Sequence, residues 1–174
     1  HWTRAANSPW PGESAREYYQ DVLTSDRYPR TAFDTLKRIL ATRRLLASSR
    51  HIPGNTPVVA FSALPPSQVA PLMRWRARFG EMSFEPYGIG VLHDAAQRVG
   101  IRPVLYGTNS DATEKWLTQS IGRKTDWRQE REYRYRGDLS LDAFATNELL
   151  AYCLYPEEAA EISTAFGLPA VSFR

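Results

Sequence analysis

The residues best suited to chemistry lie in one decapeptide, residues 127–136, which reads Trp-Arg-Gln-Glu-Arg-Glu-Tyr-Arg-Tyr-Arg. Side chains alternate between faces along an extended strand. Glu130 and Glu132 then share a face with Arg128, Arg134 and Arg136, and Trp127, Gln129, Arg131, Tyr133 and Tyr135 take the other. Tyr and Trp favour strands, and Gly137-Asp138 closes the run as a turn. Two readings fit this pattern. In one, it is a solvated face whose charges pair across strands. In the other, it is a catalytic Glu-x-Glu at the rim of a nucleotide cleft, with flanking arginines keeping both carboxylates ionised at neutral pH.

Other catalytic signatures are missing from the sequence. There is no Gly-x-x-x-x-Gly-Lys-Ser/Thr loop, and Gly88-Ile-Gly90 lacks the third glycine and the helix start of a dinucleotide fingerprint. No His/Cys group has zinc spacing, so no metal is expected, and His51 and His93 read as surface or packing residues. A Gly-x-Ser-x-Gly elbow is absent too. Any site must therefore be assembled from separate segments.

The elements that would assemble it can be read in order. His1 to Arg4 could end a first strand. Ser14-Ala-Arg-Glu17 is a capping box opening a helix to about Leu23, with Tyr18, Val22 and Leu23 facing inward. Thr31 caps a second helix, whose Phe33, Leu36, Ile39 and Leu40 form a buried face. Val58–Ser62 is the clearest buried strand. Residues 86–92 and 103–106 read as further strands, the latter buried. Residues 94–99 form a short helix ended by Gly100. Asp111-Ala-Thr-Glu114 is a second capping box, opening a helix with Trp116, Leu117 and Ile121. A strand at 147–155, a helix at Pro156–Phe166 and a last strand near Val171 complete the chain. Strands and helices intermingle without strict alternation, which predicts an α+β fold: a single domain over residues 1–174 with a mixed, largely antiparallel sheet and packed helices.

Composition narrows the class. A chain of 174 residues has one domain as its expectation and can bury a core. Aromatic content of 12% argues against disorder. Basic and acidic residues nearly balance, 22 against 19, with no block of like charge, so a nucleic-acid groove is not expected. Cys153 is the only cysteine and sits in an apolar run, which predicts a small core residue, no internal disulfide and a cytoplasmic location. No apolar run reaches the roughly 18 residues of a membrane span, and no signal peptide is visible. The chain opens at His1 without Met, the expectation for a cut fragment or for missing upstream residues.

Short motifs add a family resemblance over nearly the whole chain. They are His1-Trp-Thr3, Leu45-Leu-Ala-Ser48, Pro57-Val-Val-Ala-Phe-Ser62, Tyr87-Gly-Ile89, Arg102-Pro-Val-Leu-Tyr-Gly107 and the run from Trp127 to Arg134. In these the chain resembles uncharacterised bacterial proteins and the AbiGi-like abortive-infection family. Their order is also similar to that of ADP-ribosyltransferases. The latter resemblance implies an ADP-ribosyltransferase-like fold and NAD as cofactor or substrate. It implies that His1 and Thr3 form the first motif, with His1 bonded to ribose hydroxyls, and that Ser62 forms the second and orients Glu132. Glu132 would stabilise the cation that develops on the ribose, and Glu130 would orient or deprotonate the nucleophile. Tyr87 and Trp127 would stack on nicotinamide or adenine. No segment matches a helical NAD clamp between the first two motifs.

The expectation is thus an NAD-using transferase or glycohydrolase of phage-defence or toxin–antitoxin type, acting on a protein or other macromolecular acceptor. The alternative is a non-enzymatic, partner- or nucleotide-binding module of the same fold. A third reading, nucleic-acid binding through Arg74, Arg76, Arg78 and Arg123, conflicts with the balanced charge.

Overall fold

The computed structural model describes residues 1–77, 80–107, 114–121 and 128–174. Two capping boxes set its first helices. Ser14 accepts from the Glu17 N–H at 3.2 Å and Glu17 accepts from the Ser14 N–H at 2.8 Å, opening α1 (Ala15–Thr24). Thr31 and Asp34 exchange the same pair of bonds to open α2 (Ala32–Thr42). The two helices differ in what they bury. Helix α2 places Ala32, Phe33, Leu36 and Leu40 inside, with Ile39 half-buried. Helix α1 has no buried residue; Tyr18 and Val22 are half-buried and Leu23 is 82% exposed, against the inward face expected from the sequence. A buried cation anchors this region instead. Arg30 ion-pairs with Glu13 and Asp21 and lies 3.9 Å from the centre of the Trp10 ring.

The chain continues through β1 (Arg44–Leu45), β2 (Val58–Ser62), α3 (Pro66–Val69), β3 (Trp75–Arg76), β4 (Glu81–Met82), β5 (Gly88–Val91) and α4 (His93–Arg98). After these come β6 (Arg102–Pro103), β7 (Leu105–Tyr106), β8 (Thr118–Gln119), β9 (Glu132–Arg136), β10 (Leu139–Ser140), β11 (Leu149–Cys153), α5 (Pro156–Phe166) and β12 (Ala170–Ser172). The fold is α+β, with mostly antiparallel pairing, as the sequence predicts. Among the described residues, however, the strands divide into two three-stranded sheets and three short ladders instead of one sheet. In the sheet β12-β11-β5, β11 runs parallel to β12 and antiparallel to β5. The sheet β2-β9-β6 is antiparallel, with Ser62 opposite Glu132 and Val58 opposite Arg136. The ladders are β1–β10, β3–β4 and β7–β8.

Several expected elements are shorter or different, for visible reasons. The strand expected at 103–106 changes partner at Val104: its N–H continues the β6–β9 register to the Glu132 carbonyl at 2.9 Å, and from Leu105, which is exposed, the chain pairs with β8 instead. In place of the helix expected from the second capping box, Lys115–Leu117 is a 3-10 turn running into β8; residues 111–113 of that box lie outside the described residues. Trp116 and Leu117 are buried with Val58, whereas Ile121 is exposed. The strand expected over 127–136 is extended only from Glu132, because Arg128–Glu130 forms a 3-10 turn. At the start of the chain Trp2 bridges Gly88. A Cβ at Gly88 would collide with the His1 carbonyl oxygen, so glycine is what permits this approach.

One apolar cluster joins Leu36 and Leu40 to Val59, Ile89, Cys153 and Ile162. Helix α2 therefore packs among β2, β5, β11 and α5, and Val104, though buried, is outside this cluster. No described helix is long and apolar enough to cross a membrane. Truncating Leu36 to Ala should cost about 2–5 kcal/mol in a denaturant melt. Leu23→Ala, on the exposed side of α1, should change stability by less than about 0.5 kcal/mol.

Candidate functional site

The site region is built around a guanidinium that water does not reach. Arg134 is fully buried on β9, and each of its five N–H groups has an acceptor. Nε donates to Glu132 Oε1 at 2.8 Å and Nη2 to Glu132 Oε2 at 3.2 Å. Nη2 also donates to Gln119 Oε1 at 2.8 Å, and Nη1 donates to the carbonyls of Trp116 and Thr118 at 2.8 and 3.4 Å. Glu132 is buried as well, and its Oε2 accepts a further bond from the Tyr106 hydroxyl at 2.9 Å. Burial and the Glu132 charge raise the Tyr106 hydroxyl above its ordinary pKa, so it remains a donor. Of the face read as either solvated or catalytic, Glu132 and Arg134 are buried in a bonded network, while Arg128 and Arg136 are exposed.

Glu130 has different surroundings, and the reason is one backbone angle. Arg131 has φ of +46°, the left-handed region that non-glycine residues seldom adopt. That turn breaks the alternation on which the shared face depended. It is held by the Arg131 N–H to the Arg128 carbonyl, by the Ala63 N–H to the Arg131 carbonyl, and by the Ser62 hydroxyl, which donates to the Glu130 carbonyl at 2.7 Å. Glu130 then lines a cavity of about 880 Å³ together with His1, Thr3 and Ser62. Its carboxyl is pushed up from 4.5 to about 7, first by burial and then by the Glu132 charge, against the pull of Arg76 and Arg74. The expectation that both carboxylates stay ionised at neutral pH thus fails for Glu130, where desolvation outweighs the arginines.

The other expected site residues fall as follows. His1 packs its ring edge against Phe61 at 5.9 Å, and its Nδ1 donates to the Ala60 carbonyl at 2.9 Å, leaving Nε2 as the acceptor nitrogen. Burial lowers its pKa and so favours neutral imidazole, against the smaller upward pull of the Ala60 bond. Residues opposite one another in an antiparallel pair share a face. Phe61 faces with Tyr133, and Ser62 with Glu132, so His1 and the Glu132 carboxylate lie on opposite sides of the sheet. Ser62 bonds the Glu130 backbone and the Leu64 N–H, with no bond to the Glu132 carboxylate. Thr3 is buried, with its hydroxyl directed to the Ala32 and Tyr87 carbonyls at 2.9 and 3.2 Å. Tyr87 packs on Phe33 and donates to Glu158 Oε1 at 3.0 Å, away from the cavity; burial raises its pKa. Trp127 lies outside the described residues.

The structure thus brings His1, Ser62 and Glu130 to one cavity and leaves Glu132 and Tyr87 out of its wall. The cavity wall also takes in Arg4, Arg50, Trp75 and Glu81, none of which the sequence marks as a site residue; Arg50, Trp75 and Glu81 belong to segments without motif or periodicity. Arg134 was readable as a same-face neighbour of Glu132, but its partners at 116–119 were not. Among the described residues no group of three or more His, Cys, Asp or Glu is placed to hold a metal ion.

Compared with protein-family models, curated proteins and solved structures, the chain has no significant match in any of the three.

The two glutamates should respond oppositely to loss of charge. Glu132→Gln leaves the buried Arg134 without its counter-ion and should cost about 3–5 kcal/mol in a denaturant melt. Glu130 is raised in the folded state, so its contribution to stability is full below the ordinary value of 4.5 and is lost as pH rises through about 7. Glu130→Gln should remove that slope and stabilise the protein on the order of 2 kcal/mol at pH 8, with little change at pH 4. Melts of wild type and variant across that range measure it.

Proposed function

We propose that the chain is an NAD-consuming, ADP-ribosyltransferase-like enzyme whose acid–base group is Glu130. The observation that carries this reading is a half-buried carboxyl on a cavity wall, near neutral pKa, beside His1 and Ser62. A general base works best when its pKa lies near the working pH, and strongly shifted carboxyls in a cleft are functional-site candidates. The cavity is within the size range of nucleotide and cofactor pockets. Trp2, Trp10, Phe61 and Trp75 supply flat apolar walls, and Arg4 and Arg50 supply cationic ones, a chemistry suited to a dinucleotide. NAD as substrate rests on the order of the His1, Ser62 and Glu130/Glu132 motifs. The abortive-infection resemblance suggests phage defence or a toxin–antitoxin role, with a macromolecular acceptor.

In this reading the bond between the ribose and nicotinamide breaks with its electron pair leaving on nicotinamide. A nucleophile, water or an acceptor group, forms the new bond to the ribose carbon. Ionised Glu130 takes the nucleophile's proton. Neutral His1 offers Nε2 as an acceptor for a ribose hydroxyl. Glu132 acts as a positioning residue, because its charge helps to hold Glu130 near neutrality and its carboxylate is used by Arg134 and Tyr106.

A second reading, a nucleotide-binding module without turnover, is favoured by that full engagement of Glu132. Nicotinamide release separates the two. The enzyme reading expects release above buffer, rising with pH through about 7 as the base ionises, and falling by about two decades or more in Glu130→Gln at matched folding. A rise in melting temperature with millimolar NAD but no release from wild type would leave the module.

A further inference from the structure

The same cavity holds a second charged group that the proton chemistry of Glu130 does not use. Arg4 Nη1 and Arg50 Nη1 both lie on a single oxygen, Glu81 Oε1, at 3.1 and 3.3 Å. The three residues come from separate segments, and all line the cavity. Arg76 stands opposite Glu81 in the β3–β4 ladder and adds a third guanidinium to the same neighbourhood. The side chains of Arg4 and Arg50 are 39% and 50% exposed, whereas that of Glu81 is 17% exposed. One carboxylate oxygen thus takes two guanidiniums, those of Arg4 and Arg50, whose side chains are partly open to solvent.

Exchange of the Glu81 contacts takes place at the arginine ends, which are the more exposed partners: each guanidinium can turn from the less exposed Glu81 oxygen to another anion in the cavity. A phosphate carries more charge than a carboxylate and offers three acceptor oxygens, which suit the planar fork of arginine. We propose that Arg4 and Arg50 form a phosphate-binding subsite of the cavity, in which Glu81 is the resident anion that a phosphate or diphosphate group displaces. This deepens the NAD reading by naming the diphosphate as the group held. Anion binding needs no turnover, so the two ideas fail separately. Trp75 lines the cavity, is 61% exposed and adjoins Arg76, so its fluorescence should report occupancy.

The test is a titration of the whole chain with inorganic pyrophosphate at fixed ionic strength, followed by tryptophan fluorescence and calorimetry. Wild type should bind saturably. Glu81→Gln removes the competing anion and should bind about threefold tighter or more, while Arg4→Gln and Arg50→Gln should bind about tenfold weaker or more. Arg98→Gln is the charge control: Arg98 pairs with Glu148 through both Nη atoms, is outside the cavity lining, and should leave affinity unchanged. No saturable binding by wild type, an equal loss in Arg98→Gln, or no gain in Glu81→Gln would each overturn the subsite. The Glu81 arm keeps the test decisive if an arginine variant folds poorly. ADP binding tighter than pyrophosphate identifies a nucleotide as the source of the phosphate, and equal binding identifies the free anion. Pyrophosphate binding in the expected pattern without nicotinamide release would keep the subsite and remove the enzyme.

Discussion

A guanidinium cut off from water is costly unless its donors meet acceptors, and the arrangement around β9 follows from meeting that condition at every N–H of Arg134. Its acceptors come from three places: Glu132 on its own strand, the backbone of the 3-10 turn at Trp116 and its exit at Thr118, and the Gln119 side chain. The segment at 115–119 is thereby fixed against one face of the β2-β9-β6 sheet. Removing a buried charge from water is expensive, and only such dense bonding offsets it. Glu132 belongs to this arrangement, with both oxygens occupied.

The left-handed residue Arg131 then separates two carboxylates that are nearly adjacent in sequence. One is inside the protein with arginine and tyrosine; the other is on a cavity wall with histidine and serine. Their closeness still matters electrically, since the charge on Glu132 is the second cause of the raised pKa of Glu130. One short unit thus holds one glutamate in a buried ion pair and sets the other, with a raised pKa, on a cavity wall. Ser62 contributes by holding the backbone of the turn, an indirect way to aim a side chain.

What was legible in the sequence was what local chemistry decides. Pro156, the acidic residues after it and the left-handed Gly167 mark α5 at both ends. The Thr31–Asp34 box and the apolar spacing from Phe33 to Leu40 define α2, and the β-branched run marks β2. Illegible features were decided at long range. Helix α1 carries apolar residues at helical spacing, yet a clamp around Arg30 anchors its region and Leu23 faces water. Nothing in the propensities of residues 127–136 announces a positive φ at Arg131, and strand alternation was the wrong rule on one side of it. The capping box before Trp116 promised a helix, but Arg134 needs the carbonyls of that stretch, and tertiary demand overrode local preference.

The pairing of β2 with β9 also has a consequence for the chain as it is made. Ser62 and Glu130 are 68 residues apart, whereas β11, α5 and β12 follow one another directly. Closing a long loop is costly before any contact rewards it, so contacts of this span slow folding. During synthesis β2 emerges long before its partner and carries an apolar, unpaired edge until Arg136 has left the ribosome. Such an edge is a template for pairing with other chains. The cavity, with one wall on this sheet, is thus completed late, and until then the nascent protein has reason to depend on whatever shields its exposed strand.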